Sequence, residues 1–254
     1  EAAARLRAGG LCTPVGLVEP GAAHVAALVE ARGMKEAIAR RMLSKPLYMA
    51  AAMVAAGDAD AMVAGADSPT KRVIEAASIG IGLSDGVETA SSFFVMLFPD
   101  RREMVFADCA VNVSPDAAQL ADIARASEAS AKALLGSAQV ALLSFSTGTS
   151  GVGSSVDIVR AVAEATGFSG PVQADAALNV RIAETKGDGA GNANVLIFPD
   201  LNSGNIGYKL CQELAGAQAL GPFLQGFRRP VCDLSRGATV DEIVAATAVT
   251  VAMG

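Results

Sequence analysis

Hydrophobic and polar positions follow one recurring pattern along the chain: a short apolar segment, a loop rich in Gly, Ser, Asp or Asn, and an amphipathic segment of ten or more residues. A short apolar run predicts a buried strand, and apolar residues at every third or fourth position predict a helix. The predicted strands are Ala61–Ala64, Phe93–Phe98, Val140–Phe145, Val172–Ala174 and Val195–Phe198. The predicted helices are a short one that ends at Gly9, then Met34–Leu43, Leu47–Ala56, Thr70–Ile81, Ala117–Leu135, Val156–Ala165, Ile206–Ala215 and Asp241–Ala252.

This order of elements is typical of βαβ units. Strands with so few polar residues need both faces covered, so we predict an α/β fold with parallel-rich sheets covered by helices. The chain has 254 residues, of which 52% are hydrophobic, and can bury the core of one large domain or of two ordinary ones. The Gly-rich bends at Gly82–Gly86 and Gly221–Gly226 are the predicted points where the chain crosses between domains.

Charge and cysteine usage argue against several classes of function. The 26 acidic and 20 basic residues give a net charge of −6, which argues against a nucleic-acid or anionic-membrane surface. The longest apolar runs, Leu47–Ala56 and Ile243–Met253, are shorter than the roughly 20 residues that span a bilayer, so we expect a soluble protein. Four scattered cysteines and one histidine, His24, suggest neither disulfides nor a metal site, and we expect a cytoplasmic location.

Four strand-to-helix junctions carry residues suited to an anion, because backbone N–H groups and the helix dipole point at such junctions. In the first, AGADSPTKR, Ser68 can cap the helix, Pro69 suits its first position, and Lys71 and Arg72 add positive charge. A capped helix with solvated basic residues explains the same pattern. In the second, nine of the ten residues 146–155 are Gly, Ser or Thr, without the spacing of a P-loop or a dinucleotide fingerprint. A phosphate-cradling loop and a flexible connection fit this segment equally.

The third and fourth junctions place cations beside predicted helix starts. In LNSGNIGYKL, Tyr208 and Lys209 are predicted in the first turn of a helix, where they could donate to an oxyanion or form an ordinary helix surface. In DLSRGATVDE, Ser235 and Arg236 precede Gly237. A planar guanidinium beside a helix N-terminus suits a phosphate or a developing oxyanion, so this junction carries the most specific prediction.

Glu242 lies three residues after Thr239, at the predicted start of the last helix. This spacing is that of a capping box, in which the glutamate carboxylate accepts a hydrogen bond from the Thr239 backbone N–H. A structural role at the helix start therefore accounts for Glu242 by itself.

The most specific motifs occur in the order FADCAVNVSPDAAQLADIA, LLSFSTGTSG, NVLIFPDLNSGNIGYKL and GPFLQGFRRPVCDLSRGATVDEIV. With them the chain resembles the phosphate acetyl/butyryl transferase family from about Gly10 to its C-terminus. The resemblance implies two α/β domains similar to isocitrate/isopropylmalate dehydrogenase, formed by residues 1–85 with 226–254 and by residues 86–225, with the active site in the cleft between them. It also implies the reversible reaction of acyl-CoA with phosphate to give acyl phosphate and free CoA. In the family this reaction usually belongs to a homodimer, without a metal and with CoA as a substrate, not a permanently bound cofactor.

The matching motifs imply roles for individual residues. Ser235 and Arg236 stand where the family binds the acyl phosphate and steadies its carbonyl. The segments that line the family's phosphate pocket contribute Ser68, Thr70, Arg72, Asn205, Tyr208 and Lys209, and the segments associated with CoA contribute Arg32, Thr147 and Gly148.

Three positions depart from the family pattern. Glu242 stands where most relatives have an aspartate that acts as general base, so the resemblance adds a catalytic role to the capping-box interpretation. Glu75 replaces an arginine, for which Arg72, about one helical turn away, can substitute. The loop KGDGAGNANV, residues 186–195, replaces a Pro-Gly-Ser-Pro-Val-Ala-Gly loop of the relatives.

The mechanism implied by the family is direct attack. A carboxylate takes the proton of the CoA thiol, the thiolate adds to the carbonyl of the acyl phosphate, and phosphate leaves without any protein nucleophile. A carboxyl pKa near 4.3 and a thiol pKa near 8.5 differ by about four units, which is about 6 kcal/mol against proton transfer. Arg236 can narrow this gap by stabilising the thiolate and the oxyanion, and burial of the base can narrow it further. A helix N-terminus favours an ionised carboxylate and hence the capping role of Glu242.

Two other functions stay open at this point. A non-catalytic acyl-CoA-sensing domain, related to the C-terminal part of some malic enzymes, is compatible with Glu75 and the altered loop, whereas the intact Ser-Arg-Gly sequence favours catalysis. A nicotinamide-dependent dehydrogenase rests on the fold alone and lacks the glycine fingerprint.

Overall fold

A computed structural model describes residues 1–187 and 191–254. The helices in this part of the chain are α1 (Ala2–Ala8), α2 (Ala22–Arg32), α3 (Glu36–Leu43), α4 (Pro46–Ala56), α5 (Thr70–Gly80), α6 (Ala117–Leu135), α7 (Ser154–Thr166), α8 (Ala174–Leu178), α9 (Val180–Lys186), α10 (Leu201–Ala215) and α11 (Val240–Ala252). The strands are β1 (Met62–Ala64), β2 (Ser91–Leu97), β3 (Glu103–Ala107), β4 (Val140–Leu143), β5 (Ser169–Val172), β6 (Val195–Ile197), β7 (Gln218–Gln225) and β8 (Val231–Asp233). The chain divides into two compact units: unit 1 consists of Glu1–Val87 and Gly221–Gly254, and unit 2 consists of Glu88–Leu220.

Unit 1 is built around a parallel pair of strands, β1 and β8. Met62 lies opposite Val231 and Ala64 lies opposite Asp233, while the end of β7 pairs with β8 in the antiparallel direction. Helices α2, α3, α4 and α5 pack together on one hydrophobic core, which includes Val25, Leu28, Ala39, Leu43, Met49, Ala52, Met53 and Ile79. Helix α11 packs against α1 and β8, so the two ends of the chain belong to the same unit.

Unit 2 contains five strands in the order β2-β3-β6-β4-β5. Strands β3, β6, β4 and β5 are parallel neighbours, and β2 runs antiparallel to β3. The apolar side chains of these strands meet those of α8 and α10 in a core that includes Phe94, Met96, Phe106, Leu143, Val172, Ala176, Leu196, Phe198 and Tyr208. Because parallel strands end at the same edge, the loops after β3, β6 and β4 all lie at one edge of this unit.

The predicted α/β class is confirmed, and the differences from the predicted elements have local causes. The pattern predicts a strand at Val172–Ala174, but β5 is Ser169–Val172 and Ala174 begins α8. The pattern does not predict this strand because it contains Gly170 and Pro171, two residue types that usually interrupt strands. An edge strand such as β5 tolerates them. Gly221 and Pro222 conceal β7 in the same way, and the predicted elements also lack β3, β8, α2, α8 and α9.

Helix α10 begins at Leu201, five residues before its predicted start. Its N-cap is Asp200, whose carboxylate accepts a hydrogen bond from the Ser203 backbone N–H at 2.8 Å. The glycines that made this segment resemble a loop allow close packing: a Cβ on Gly204 would lie 2.3 Å from the carbonyl oxygen of Asp108.

The prediction that Tyr208 and Lys209 lie in the first turn of their helix is therefore wrong. Helix α10 starts seven residues before Tyr208, which places both residues in its third turn. Their side chains are too far along the helix to share its N-terminal backbone donors.

Candidate active site

Two loops of unit 1 leave neighbouring parallel strands at the same edge. The β1 loop (residues 65–69) leads into α5, and the β8 loop (residues 234–239) leads into α11. Ala64 and Asp233, the last residues of the two strands, lie opposite each other, and the Leu234 N–H donates to the Ala64 carbonyl at 2.6 Å. The first and fourth predicted junctions are thus brought together, each in front of a helix N-terminus.

The side chain of Asp233 is buried where these two loops begin. It is 2% exposed, and its Oδ2 accepts a hydrogen bond from Thr70 Oγ1 at 2.5 Å. No described residue donates a hydrogen bond to its Oδ1. Burial raises the pKa of Asp233 above the usual value of an aspartate, and the hydrogen bond from Thr70 offsets part of this rise. Sequence reasoning missed Asp233, although an acidic residue at the end of the apolar segment PVCD is a signal for it.

Gly65 packs directly against the unpaired oxygen of Asp233. A Cβ on Gly65 would lie 2.2 Å from Asp233 Oδ1 and 2.7 Å from the backbone nitrogen of Leu234, and its φ of +111° is one that side-chain-bearing residues rarely adopt. A side chain at position 65 would collide with Asp233 and with the backbone of Leu234, so only glycine fits here.

Ser68, in the β1 loop, donates its hydroxyl proton to Asp67 Oδ1 at 3.0 Å. The prediction that Ser68 caps α5 is wrong, because the N-cap position belongs to Pro69 and Thr70 is the first helical residue. Since Thr70 donates to Asp233, both hydroxyls predicted to line a phosphate pocket give their protons to carboxylates.

Ser235 and Arg236 form an exposed turn in the β8 loop. The Ala238 N–H donates to the Ser235 carbonyl at 3.0 Å, and Gly237 adopts a φ of +84°, which glycine accommodates without strain. The Arg236 side chain is exposed and has no ion-pair partner among the residues that the structure describes. Its guanidinium is therefore available to an anion beside the start of α11.

Glu242 and Thr239 form the predicted capping box at the start of α11. Glu242 Oε2 accepts from the Thr239 backbone N–H at 2.7 Å and from its Oγ1 at 2.9 Å, and Thr239 Oγ1 accepts from the Glu242 N–H at 3.3 Å. The structure thus places this carboxylate in a helix cap directly after the turn that carries Arg236.

Arg72 and Glu75 form an ion pair at 3.0 Å on the surface of α5, where the Arg72 side chain is 63% exposed. A hydrogen bond from Tyr48, and then one from Arg72, lower the pKa of Glu75. Burial raises the pKa of Tyr48. The ion-pair partner of Arg72 is thus Glu75, the residue that departs from the family pattern. Arg32, at the end of α2, donates to the carbonyl of Ser78.

The remaining predicted residues belong to unit 2. Thr147 Oγ1 accepts from the N–H of Gln173, the residue after β5, at 3.0 Å. The Gly148 N–H donates to the carbonyl of Pro171, within β5, at 2.9 Å. The amide of Asn205 donates to the Cys109 carbonyl at 3.1 Å. Of the altered loop 186–195, residues 188–190 lie outside the described residues.

Tyr208 is a core residue of unit 2. Its ring stacks on Phe94 with centroids 4.3 Å apart and an interplanar angle of 22°, and the residue is 9% exposed. Lys209 is exposed, with its Nζ 5.0 Å from the centroid of the Tyr208 ring. Of this predicted pair, only the lysine presents its charge at the surface.

Other chemistry-bearing groups are engaged in packing. His24 Nδ1 accepts from the Gly21 N–H at 2.9 Å and its Nε2 lies 2.6 Å from Asp58 Oδ2, an arrangement that holds the N-terminus of α2. Burial raises the pKa of the Cys109 thiol. Burial also raises the pKa of the Cys232 thiol, to about 12. In residues 1–187 and 191–254, no group of three or more His, Cys, Asp or Glu side chains is placed to hold a metal ion. No helix in the same ranges is long and apolar enough to cross a membrane.

The chain is similar to known proteins over most of its length. A family model described as phosphate acetyl/butaryl transferase matches residues 17–251. The chain is 47% identical over 239 residues to a phosphate acetyltransferase of Treponema pallidum, covering 86% of this chain and 71% of that protein. It is 45% identical over 240 residues to a phosphate acetyltransferase of Nitratidesulfovibrio vulgaris, and this match covers 89% of this chain and 34% of that protein. The chain thus spans about a third of the length of this longer relative.

Solved structures give the same result. A phosphotransacetylase from Streptococcus pyogenes matches with a TM-score of 0.90 and 34% identity, over 99% of this chain and 88% of that one. At 11% identity and a TM-score of 0.51, the fold alone is shared with a Salmonella typhimurium protein named as a dehydrogenase of 4-hydroxythreonine 4-phosphate, over 82% of this chain and 69% of that one. The predicted family resemblance is confirmed: the chain belongs to the phosphate acetyl/butaryl transferase family.

Proposed function

We propose that this chain is a phosphate acyltransferase that interconverts acyl-CoA plus phosphate with acyl phosphate plus CoA, with acetyl as the acyl group. The observation that carries the proposal is the register of Ala64 opposite Asp233, which brings the β1 loop and the β8 loop together before two helix N-termini. The names of the relatives and of the matching solved structures support the same activity and class of enzyme.

The chemistry proposed for this site is direct exchange of sulfur and oxygen at the acyl carbonyl. The exposed Arg236 guanidinium binds the phosphoryl group and stabilises the oxyanion, together with Ser235 and the positive end of α11. Cys109 and Cys232 are buried thiols with raised pKa values, which supports attack by the substrates themselves over a covalent cysteine intermediate.

Further parts of the proposal concern binding and assembly. Lys209 and Asn205 are proposed to contact phosphate, and Arg32 to contact CoA, which acts as a substrate. The apolar stripe of Ile206, Leu210 and Leu214 on α10, which are 56%, 52% and 82% exposed, supports a homodimer. Four unpaired thiols support a cytoplasmic location.

Phosphate-dependent release of free thiol from acetyl-, propionyl- and butyryl-CoA tests the proposed function. We expect release in phosphate buffer and none in a buffer of equal ionic strength without phosphate, and the ranking of the three esters gives the acyl preference. Binding of acetyl-CoA in a calorimeter without turnover of any ester would instead support the acyl-CoA-sensing domain and contradict the proposal.

A further inference from the structure

The proposed reaction moves one proton. Hydrogen phosphate loses a proton when it becomes an acyl phosphate dianion, and the departing CoA thiolate gains one. A group beside the reacting atoms has to hold this proton between the two steps. The carboxylate that the family motif suggests, Glu242, accepts two hydrogen bonds from Thr239 through its Oε2 and is part of the cap of α11.

A second carboxylate lies closer to the start of both loops. Asp233 is 2% exposed, and Thr70 Oγ1 donates its single proton to Asp233 Oδ2. A hydroxyl in this arrangement can only accept a hydrogen bond from a ligand. The ligand that meets Thr70 must therefore bring a proton of its own, as hydrogen phosphate does in one direction and the CoA thiol does in the other.

We propose, on the basis of the proposed function, that Thr70 and Asp233 together carry the proton that moves between phosphate and the sulfur of CoA. The phosphate O–H bond breaks as its proton passes to Thr70 Oγ1, and the original Thr70 proton passes to Asp233 Oδ2. The phosphate oxygen then attacks the acyl carbonyl, the C–S bond breaks, and sulfur keeps the electron pair. Sulfur takes the proton from Thr70, which recovers its own from Asp233. Thr70 is the catalytic residue in this scheme, and Asp233 is a positioning residue that acts through it.

The surroundings of Asp233 suit this role. No described residue stabilises Oδ1 by a hydrogen bond, so the neutral carboxyl group is favoured more than at an exposed site. The pKa of Asp233 is raised, so it lies closer to the pKa values of the groups with which this carboxyl exchanges a proton. The absence of a Cβ at Gly65 leaves the room that Asp233 Oδ1 occupies while Oδ2 accepts from Thr70.

The test compares Thr70→Val, Thr70→Ser and Asp233→Asn with the parent chain in steady-state assays with acetyl-CoA and phosphate. Valine keeps the shape of threonine without its hydroxyl, serine restores the hydroxyl, and asparagine accepts the Thr70 hydrogen bond but no proton. We expect Thr70→Val and Asp233→Asn to lower kcat at least about 100-fold, the scale of general acid–base catalysis, with KM for acetyl-CoA within about threefold. Thr70→Ser should keep kcat within about fivefold, and the double variant Thr70→Val/Asp233→Asn should be no slower than the slower single variant, because the two residues act as one unit.

Thr166→Val is the matched control for removal of a hydroxyl. Thr166 Oγ1 donates to the Val162 carbonyl at 2.7 Å within α7, and we expect its substitution to leave kcat unchanged. An active parent with kcat retained within threefold in Thr70→Val or in Asp233→Asn overturns the proton-carrying role while the proposed function stands. A parent without phosphate-dependent thiol release overturns the proposed function and this inference with it. If Asp233→Asn fails to fold, the contrast between Thr70→Val and Thr70→Ser decides.

Discussion

Glu242 Oε2 lies 2.7 Å from the backbone nitrogen of Thr239 and 2.9 Å from its hydroxyl oxygen, so the carboxylate closes the first turn of α11. The same turn follows directly on Arg236. The β8 loop carries Arg236, the residue proposed to bind phosphate. This cap fixes the C-terminal end of the loop, and the hydrogen bond from Leu234 to Ala64 fixes its N-terminal end.

Substitution of Glu242 distinguishes a helix-capping role of this residue from a role as general base. A glutamine amide oxygen still accepts from Thr239 but takes no proton, so we expect Glu242→Gln to keep kcat within about threefold. Glu242→Ala should lower the free energy of unfolding by about 1 kcal/mol, as loss of a cap does. The measurements are steady-state turnover and thermal unfolding. A loss of turnover above 100-fold in Glu242→Gln, with unchanged unfolding, would make Glu242 the general base and contradict the assignment of Thr70 and Asp233.

Arg236→Ala should lower turnover at least about 100-fold, because one donor to a developing oxyanion contributes on that scale. Arg228→Ala is the control: this exposed arginine pairs with Asp85 at 3.1 Å elsewhere in unit 1, and we expect turnover to stay unchanged. Thiol release at saturating acetyl-CoA gives both values. Equal turnover in the two variants would remove Arg236 from the mechanism.

Gly65→Ala should destabilise the chain by more than about 2 kcal/mol, because the new Cβ has no room beside Asp233 and the backbone conformation is strained for alanine. Gly237→Ala is the matched comparison. Its φ is +84°, but nothing lies within 4 Å of a new Cβ, so only strain of about 1 kcal/mol is expected. Urea unfolding measures the free energy of unfolding of both variants. Equal losses of stability in the two variants would contradict the tight packing of Gly65.

Asp233 should make stability depend on pH. The pKa of Asp233 in the folded state is raised above the unfolded-state value of about 3.9. The contribution of this group to stability is therefore complete when the pH is below the unfolded-state pKa, and it is lost as the pH rises through the folded-state pKa. Asp233→Asn carries no such loss. We expect the variant to gain stability relative to the parent between pH 4 and pH 8, as measured by urea unfolding at both values. A stability difference that is independent of pH would contradict the buried, weakly stabilised carboxylate.

Sequence patterns predict those elements whose stability is local. Helix α6 has a complete cap, with Asp116 and Gln119 at its start and Gly136 after its end, and its predicted bounds are those observed. Strands β5 and β7 escape prediction because glycine and proline occur within them and tertiary pairing overrides their local preference. In α10, the local signal of Gly204 is misleading because this glycine serves a contact with Asp108, far away in sequence.

The same limit applies to the site. The motifs indicate Ser68, Ser235 and Arg236, and the capping box of Glu242 follows from spacing alone. No pattern within the β1 loop indicates that Thr70 gives its proton to Asp233, because this hydrogen bond joins residues that only the parallel pairing of β1 and β8 brings together.

The division of the chain into units has a consequence for biosynthesis. Unit 2 is one uninterrupted stretch, so the ribosome releases all of it before β8 and α11 emerge. Strand β1 is made early and must wait for its parallel partner, and closing so long a loop slows folding. During translation, unit 2 can therefore complete its core while the nascent unit 1 still exposes the edge of β1, an unpaired strand edge of the kind that chaperones protect.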